Sequence, residues 1–485
     1  MSARCVMVLG TSSGAGKSFL ATALCRCYAN AGLRVAPFKA QNMSNNARVV
    51  AGPDGEPGEI GSAQYFQALA ARAQPDVRMN PVLLKPEADT RSQVVVHGRV
   101  RADLARMPWR ERSARLWPFA GQALASLRAE HDVVVIEGAG SPAEINLAAS
   151  DFVNTRTALA AEAACLLVAD IDRGGAFAHL YGTHALMDAR VRARLAGFVL
   201  NRFRGDAALL APAPQQLEQL TGVPTLAVLP MRRDHGLPEE DGVYDDGAAP
   251  AAPDVRTIAV IAPPAISNLD EFQPLRTLPG HRLVWARDAA ACAAAHWLVL
   301  PGSKHTRADL QWLRAQGLDR AIAAHVQAGR PLLGVCGGLQ MLGDEVADPL
   351  GLEGGARGST PGLGLLPLRT EFAARKTLRH GNHRFGALHD AWAPLSQLAV
   401  QGYEIHVGRT QPSRDDPACR AVLPQGLGWQ RGPVLGVYLH GLFENPALLR
   451  ALFGVDTPPL DERLDRLAAQ VQACFTPHVL LELLR

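Results

Sequence analysis

Lysine is scarce in this chain. Of 49 basic residues among 485, five are lysine (Lys17, Lys39, Lys85, Lys304 and Lys376) and the other 44 are arginine. Arginine therefore carries the general surface charge. Each lysine, a compact point charge on a flexible stem, is a position to inspect. Charge of one sign is also lacking. With 49 basic and 46 acidic residues the formal charge is +3, too small a bias for a nucleic-acid or membrane-surface binder. No apolar run reaches the roughly 18 residues of a membrane-spanning helix. The opening residues MSARCVMVLG lack the apolar region and cleavage site of a secretion signal. The eight cysteines are scattered and form no CxxC pair, and the composition excludes a small disulfide scaffold. Cys25 and Cys27 fall in a helical stretch, where side chains two apart diverge by about 200°. A cytoplasmic protein with reduced thiols is expected. What is present is ordinary for a globular enzyme: 48% apolar and 20% charged residues, enough for two to four domains.

Short β-branched runs alternate with helix-length segments. The first set is 5–10, 33–38, 132–137, 164–170, 195–201 and 225–230. Such runs read as buried strands of a parallel sheet with crossover helices. The segment 232–254 is acidic, rich in Gly, Pro and Ala, and without periodicity, as a linker is. A second set follows at 256–262, 296–302, 330–338, 398–406 and 433–441, giving a second α/β domain. The expected organisation is a first domain over 1–232, a linker over 233–254, a second domain over 255–450 and a helical tail over 451–485.

The first strand ends in Gly10-Thr11-Ser12-Ser13-Gly14-Ala15-Gly16-Lys17-Ser18, and a helical pattern begins at once. Small residues let successive backbone N–H groups turn toward an anion, and the helix N-terminus adds its dipole. Lys17 would reach the outer phosphates of a nucleotide and Ser18 would ligate Mg²⁺. Five residues, not the usual four, separate Gly10 from Gly16. An acidic residue at the end of a neighbouring strand is needed to help hold the metal. Glu137, after four β-formers and before Gly138 and Gly140, is the candidate. The plainer alternative is a carboxylate that caps the following turn.

In RPLLGVCGGLQMLG (330–343) a buried-type strand runs into Cys336, then two glycines and a helical pattern. This is the layout of a strand–nucleophile–helix elbow. A thiolate there gains from the helix N-terminus. His440, ending one strand run, is the first choice of base, and His406 the second. The loop after 298–300, containing Gly302 and Ser303, offers backbone N–H groups for an oxyanion.

These pieces together resemble the cobyrinate amidotransferases, and among them the cobyric acid synthase branch. The resemblance covers nearly the whole chain. It is carried by VAPFKAQNMSNNA (35–47), MNPVLLKPEADTRSQVVVHG (79–98), DIDRGGAFAHLYGT (170–183), GFVLNRFRGD (197–206) and GYEIHVGRT (402–410). It implies two doubly wound α/β domains. The first is a P-loop domain of dethiobiotin-synthetase type and the second a flavodoxin-like class I glutamine amidotransferase domain. It implies ATP- and glutamine-dependent amidation of the b, d, e and g carboxylates of adenosylcobyrinic acid a,c-diamide, with Mg²⁺. Cys336 would be the nucleophile and His440 the active-site histidine. Lys39, Asn42 and Lys85 lie in the family-like segments and are candidate substrate contacts. Two departures stand out. His440 is followed by Gly441-Leu442 where ordinary class I enzymes have Pro-Glu, and Glu444 lies at a different offset. The oxyanion loop reads Pro301-Gly302-Ser303 in place of Pro-Gly-Gly.

The partners implied are glutamine and a corrinoid, with neither nucleic acid nor membrane. A homo-oligomer is allowed for. Three other readings compete. A cobyrinic acid a,c-diamide synthase shares the plan and adds a different number of amides. A partitioning-type ATPase shares the deviant loop but has no use for Cys336. An inactive amidotransferase-like module would not need both Cys336 and His440.

Overall fold

The computed structural model describes residues 2–52, 55–88, 91–232, 236–237, 255–353 and 357–485. The expected linker lies outside them, apart from 232, 236 and 237. The chain divides into two units, Met1–Asp241 with Pro459–Arg485, and Gly242–Pro458.

The first unit is built on a six-stranded, wholly parallel sheet. Its order is Thr225–Pro230, Leu195–Phe203, Ala164–Asp170, Arg4–Gly10, Val133–Glu137 and Val35–Phe38. Each strand matches one of the first set of apolar runs. The first strand feeds both faces, because successive side chains point to opposite sides. Cys5, Met7 and Leu9 pack into one layer with Leu116, Ala120 and Leu124 of the helix Trp109–Glu130. Val6 and Val8 pack into the other with Leu20 and Leu24 of the helix Lys17–Asn30. Arg4–Gly10 lies between strands reached in opposite directions along the sheet. A crevice opens outside the carboxyl ends of strands at such a switch point. Both the glycine-rich loop and Glu137 are there.

An insertion after Val35–Phe38 forms two small sheets. One holds Gln41–Met43, Val82–Ala88, Arg91–Val96 and Arg99–Val100; the other pairs Ala47–Ala51 with Pro57–Gly61. The residues after 450 are not one separate tail. Those up to Pro458 belong to the second unit, and Pro459–Arg485 to the first. The helix Leu460–Gln472 buries Leu464, Leu467, Ala468 and Val471 against Lys17–Asn30. That spacing is one stripe of an amphipathic helix. Arg26, fully buried, reaches Asp461 at 2.5 Å, and the Tyr28 hydroxyl donates to the Leu480 carbonyl at 2.8 Å.

The second unit has a seven-stranded sheet. His281–Ala286, Arg256–Ile261, Trp297–Leu300, Leu332–Val335 and Val434–Val437 run parallel in that order. Gly428–Arg431 and Cys419–Leu423 complete it antiparallel. The apolar run at 398–406 is not part of this sheet. Ala399–Pro412 pairs antiparallel with Leu368–Arg384 in a separate four-stranded sheet. Its buried residues are confined to Val400, Gly402, Tyr403, Glu404 and Gly408, the rest being partly or fully exposed, unlike a strand buried on both faces. Among the described residues no helix is long and apolar enough to cross a membrane.

Candidate active sites

The loop after Arg4–Gly10 turns on two glycines with left-handed backbone, Gly14 at φ 71° and Gly16 at φ 99°. The helix starts at Lys17. A Cβ on Gly16 would lie 1.9 Å from Asn201 Nδ2, whose amide donates to the Ala15 carbonyl at 3.0 Å. The Lys17 stem packs over Gly10. Its ammonium donates to the carbonyls of Ser12 and Gly140, at 3.0 and 3.2 Å. The Thr11 N–H donates to the Val168 carbonyl. It extends the sheet and is not turned toward an anion, as the sequence reading had it.

Glu137 is fully buried and gathers the polar residues around it. Its Oε1 accepts from Ser18 Oγ at 2.9 Å and from Lys39 Nζ at 2.9 Å. Its Oε2 accepts from Gln67 Nε2 at 2.5 Å and Gln64 Nε2 at 3.4 Å. Gln67 Oε1 is buried without a hydrogen-bond partner. A hydroxyl, a carboxylate and a spare amide oxygen are hard donors that suit Mg²⁺ and its retained waters. Among the described residues no three His, Cys, Asp or Glu cluster as an all-protein metal cage; a metal shared with nucleotide phosphates does not require one.

The insertion supplies the other sequence candidates. Asn42 is buried and donates to Gln64 Oε1 at 3.1 Å, so it reaches Glu137 through Gln64, two hydrogen bonds away. Lys85 does not join this group. Its ammonium is buried on Glu59, at 2.5 Å, with both side chains at most 2% exposed. Lys39 forms a buried ion pair of the same kind with Glu137; the two lysines differ in which carboxylate they meet.

In the second unit four loops at the carboxyl ends of adjacent strands converge. Cys336 follows Leu332–Val335 with φ 51° and ψ −105°, a strained conformation of the sort nucleophile elbows hold. The two following glycines are required by close approach. A Cβ on Gly337 would lie 2.6 Å from Ser303 N, and one on Gly338 only 1.8 Å from the Leu300 carbonyl oxygen. The oxyanion loop thus lies directly against the elbow. The Ser303 hydroxyl turns away and donates to Asp309 at 2.6 Å. Burial pushes that carboxyl up to about 6.

His440, 1% exposed, has Cys336 near enough on one side to act on its charge, while the Cys336 thiol itself donates to the Ile405 carbonyl at 3.9 Å. On the other its Nδ1 lies 2.9 Å from Glu271 Oε1. Burial alone would lower the imidazole pKa, but Glu271 and Cys336 reverse this and push it up to about 10. The Tyr403 ring stacks on it at 5.3 Å. His406 has both ring nitrogens committed, to the Gly408 carbonyl at 2.8 Å and to Glu404 at 3.2 Å. Of the two candidate bases, His440 is the one whose charge Cys336 influences. Glu444 is exposed. Glu271 is the residue that sequence reading missed. It lies in the 268–272 stretch that follows the strand Arg256–Ile261, at the sheet end where such sites form. That position was its one available signal.

Residues 6–242 match the model of the CobQ/CobB/MinD/ParA nucleotide binding domain, and residues 257–448 that of the CobB/CobQ-like glutamine amidotransferase domain. A cobyric acid synthase from Variovorax paradoxus is 65% identical, over 99% of both chains. One from Leptothrix cholodnii is 64% identical, over 99% of this chain and 97% of its own. One from Polaromonas naphthalenivorans is 60% identical over the full length of both. With identity this high over nearly the whole length of both chains, the chain belongs to the cobyric acid synthase family.

Proposed function

We propose that the chain makes amides on a corrinoid in two linked half-reactions: glutamine hydrolysis in the second unit and ATP-driven carboxylate activation in the first. The substrate is adenosylcobyrinic acid a,c-diamide and the product adenosylcobyric acid, four carboxylates being amidated. The observation that carries this reading is the Cys336–His440–oxyanion-loop cluster on the same chain as the Lys17–Ser18–Glu137 cluster.

Cys336 attacks the side-chain amide carbon of glutamine while His440 takes the thiol proton. The Ser303 and Gly337 backbone N–H groups receive the developing oxyanion. His440 then protonates the departing nitrogen, which leaves as ammonia. Water cleaves the glutamyl thioester, so glutamine and water become glutamate and ammonia.

A carboxylate does not react with ammonia at neutral pH, because oxide would have to leave. In the first unit the corrinoid carboxylate oxygen takes the γ-phosphoryl group of ATP, releasing ADP. Ammonia then displaces phosphate from the acyl phosphate, forming the amide, and the proton lost from nitrogen leaves on the phosphate. Ser18 and Glu137 would hold Mg²⁺, with Gln67 Oε1 accepting from its waters. When bound, the metal neutralises charge on the transferring phosphoryl group. Lys17 and Lys39 add two cations there. Lys39 also keeps the buried Glu137 charge paired.

Two variants separate the halves. Cys336→Ala should abolish synthesis from glutamine and leave synthesis from ammonium salts. Lys17→Ala should stop both. Ammonia-dependent turnover by the Lys17 variant would overturn the ATP-site assignment, and glutamine-dependent turnover by the Cys336 variant the nucleophile.

A further inference from the structure

We propose that Glu271 is the positioning residue of the glutamine-hydrolysing site, replacing the carboxylate that class I enzymes carry two residues after the histidine. The inference rests on the glutaminase reading of Cys336 and His440. The sequence after His440 offers no such carboxylate two residues on, since Gly441-Leu442 stands there, and Glu444, exposed and at another offset, is not the group that meets His440 Nδ1. The structure brings one from 169 residues upstream, on a different strand end of the same sheet.

Both oxygens of Glu271 are used on the base. Oε1 faces His440 Nδ1 at 2.9 Å, and Oε2 accepts from the Gly441 N–H at 3.0 Å. A carboxylate accepts only, so the proton must sit on Nδ1 and Nε2 is left to face the thiol. The second bond fixes the backbone just beyond the ring, where Gly441 has φ 78°. Glu271 and His440 side chains are each 1% exposed, so solvent screens the pair little.

Glu271 is itself held by the segment that carries the oxyanion loop. The Lys304 N–H donates to the Ala265 carbonyl at 2.8 Å, and the Ser267 N–H to the Gly302 carbonyl at 3.0 Å. Ile266 and Ser303 form a β-bridge. Asn268 Nδ2 donates at 2.7 Å to the hydroxyl of Tyr403, the ring stacked on His440. One stretch, 265–271, therefore sets the base and the oxyanion donors together. Rigid support of this kind keeps a catalytic side chain in one geometry.

Glutamate release by Glu271→Gln, Glu271→Asp, Glu444→Ala and Cys336→Ala tests this, each measured across pH in the full chain. In Glu271→Gln the amide cannot accept from both His440 Nδ1–H and Gly441 N–H. Its kcat should fall roughly 10²–10⁴-fold, the usual worth of a positioned base, with KM changed far less. With the negative charge gone, the alkaline limb of the pH profile should move to lower pH. A role in folding alone would reduce the amplitude and leave the limb in place. Glu271→Asp should restore the limb and part of the rate, and Glu444→Ala should stay within about twofold of the parent. A Glu271→Gln enzyme with parental kcat and limb overturns the proposal while leaving the nucleophile intact. Activity retained in Cys336→Ala would overturn the underlying reading instead.

Discussion

Replacing Gly338 by alanine adds one methyl group at the tightest point of the second unit. The new Cβ would stand 1.8 Å from the Leu300 carbonyl oxygen, 2.7 Å from its carbon and 3.0 Å from the Pro301 oxygen. All three are backbone atoms, so no side chain can rotate out of the way. Ordinary contact begins at 3.4 Å, so elbow and oxyanion loop must part by about 1.6 Å. The Gly337 and Ser303 N–H groups sit on opposite sides of that gap. A displacement of about 1 Å in a reacting group costs on the order of 10²-fold in rate, and an oxyanion donor is worth about 10²–10³-fold. Glutamate release should fall by at least about 10²-fold. Overpacking also costs about 1–3 kcal/mol or more in stability, visible as a lower urea midpoint. Synthesis from ammonium salts should persist, because the first unit is untouched. Gly182→Ala is the matched control. It lies within the helix Ala176–Leu186 with nothing within 4 Å of the added carbon, and should be neutral or stabilising by about 0.5–1 kcal/mol. A Gly338→Ala protein with parental kcat, KM and stability would refute the placement of the loop against the elbow.

Two further predictions concern the first unit. Glu137→Ala takes the carboxylate from a Lys39 ammonium whose side chain is 4% exposed; removing one member of a buried pair costs about 3–5 kcal/mol. Urea unfolding should show that loss, with recovery of part of it in Glu137→Gln/Lys39→Met, and a loss below about 1 kcal/mol would place the pair in solvent. Leu467→Ala, in the helix Leu460–Gln472, should destabilise by about 2–5 kcal/mol. A change under about 0.5 kcal/mol would show that this helix is not part of the first unit's core.

The two sheets were legible because parallel strands buried on both faces read as unbroken apolar runs. All six runs of the first set became strands of one sheet. The run at 398–406 is apolar without being buried on both faces, since Ala399 and Gln401 are exposed. His281–Ala286 escaped notice as an outer strand that begins His-Arg. The loops of the two sites were legible for a related reason, since glycine spacing records where backbones must touch. Lysine scarcity pointed to Lys17, whose ammonium lies on the Ser12 and Gly140 carbonyls beside the glycine-rich loop, and to Lys39, which pairs with Glu137. It pointed equally to Lys85, which the fold buries on Glu59 instead. Composition marks a charge as worth keeping, not which carboxylate it will meet. Glu271 was hidden most deeply. Its partner is 169 residues away, and only the adjacency of strand ends brings the two together.

The central claim is the four-fold amidation of a corrinoid by glutamine and ATP. Its most direct measurement is the mass of the product after incubating the full chain with adenosylcobyrinic acid a,c-diamide, ATP, Mg²⁺ and glutamine. The account predicts four added amides per corrinoid, with one glutamate and one ADP released for each. A product that stops short of four with excess substrates, or amides formed without ADP release, would contradict it.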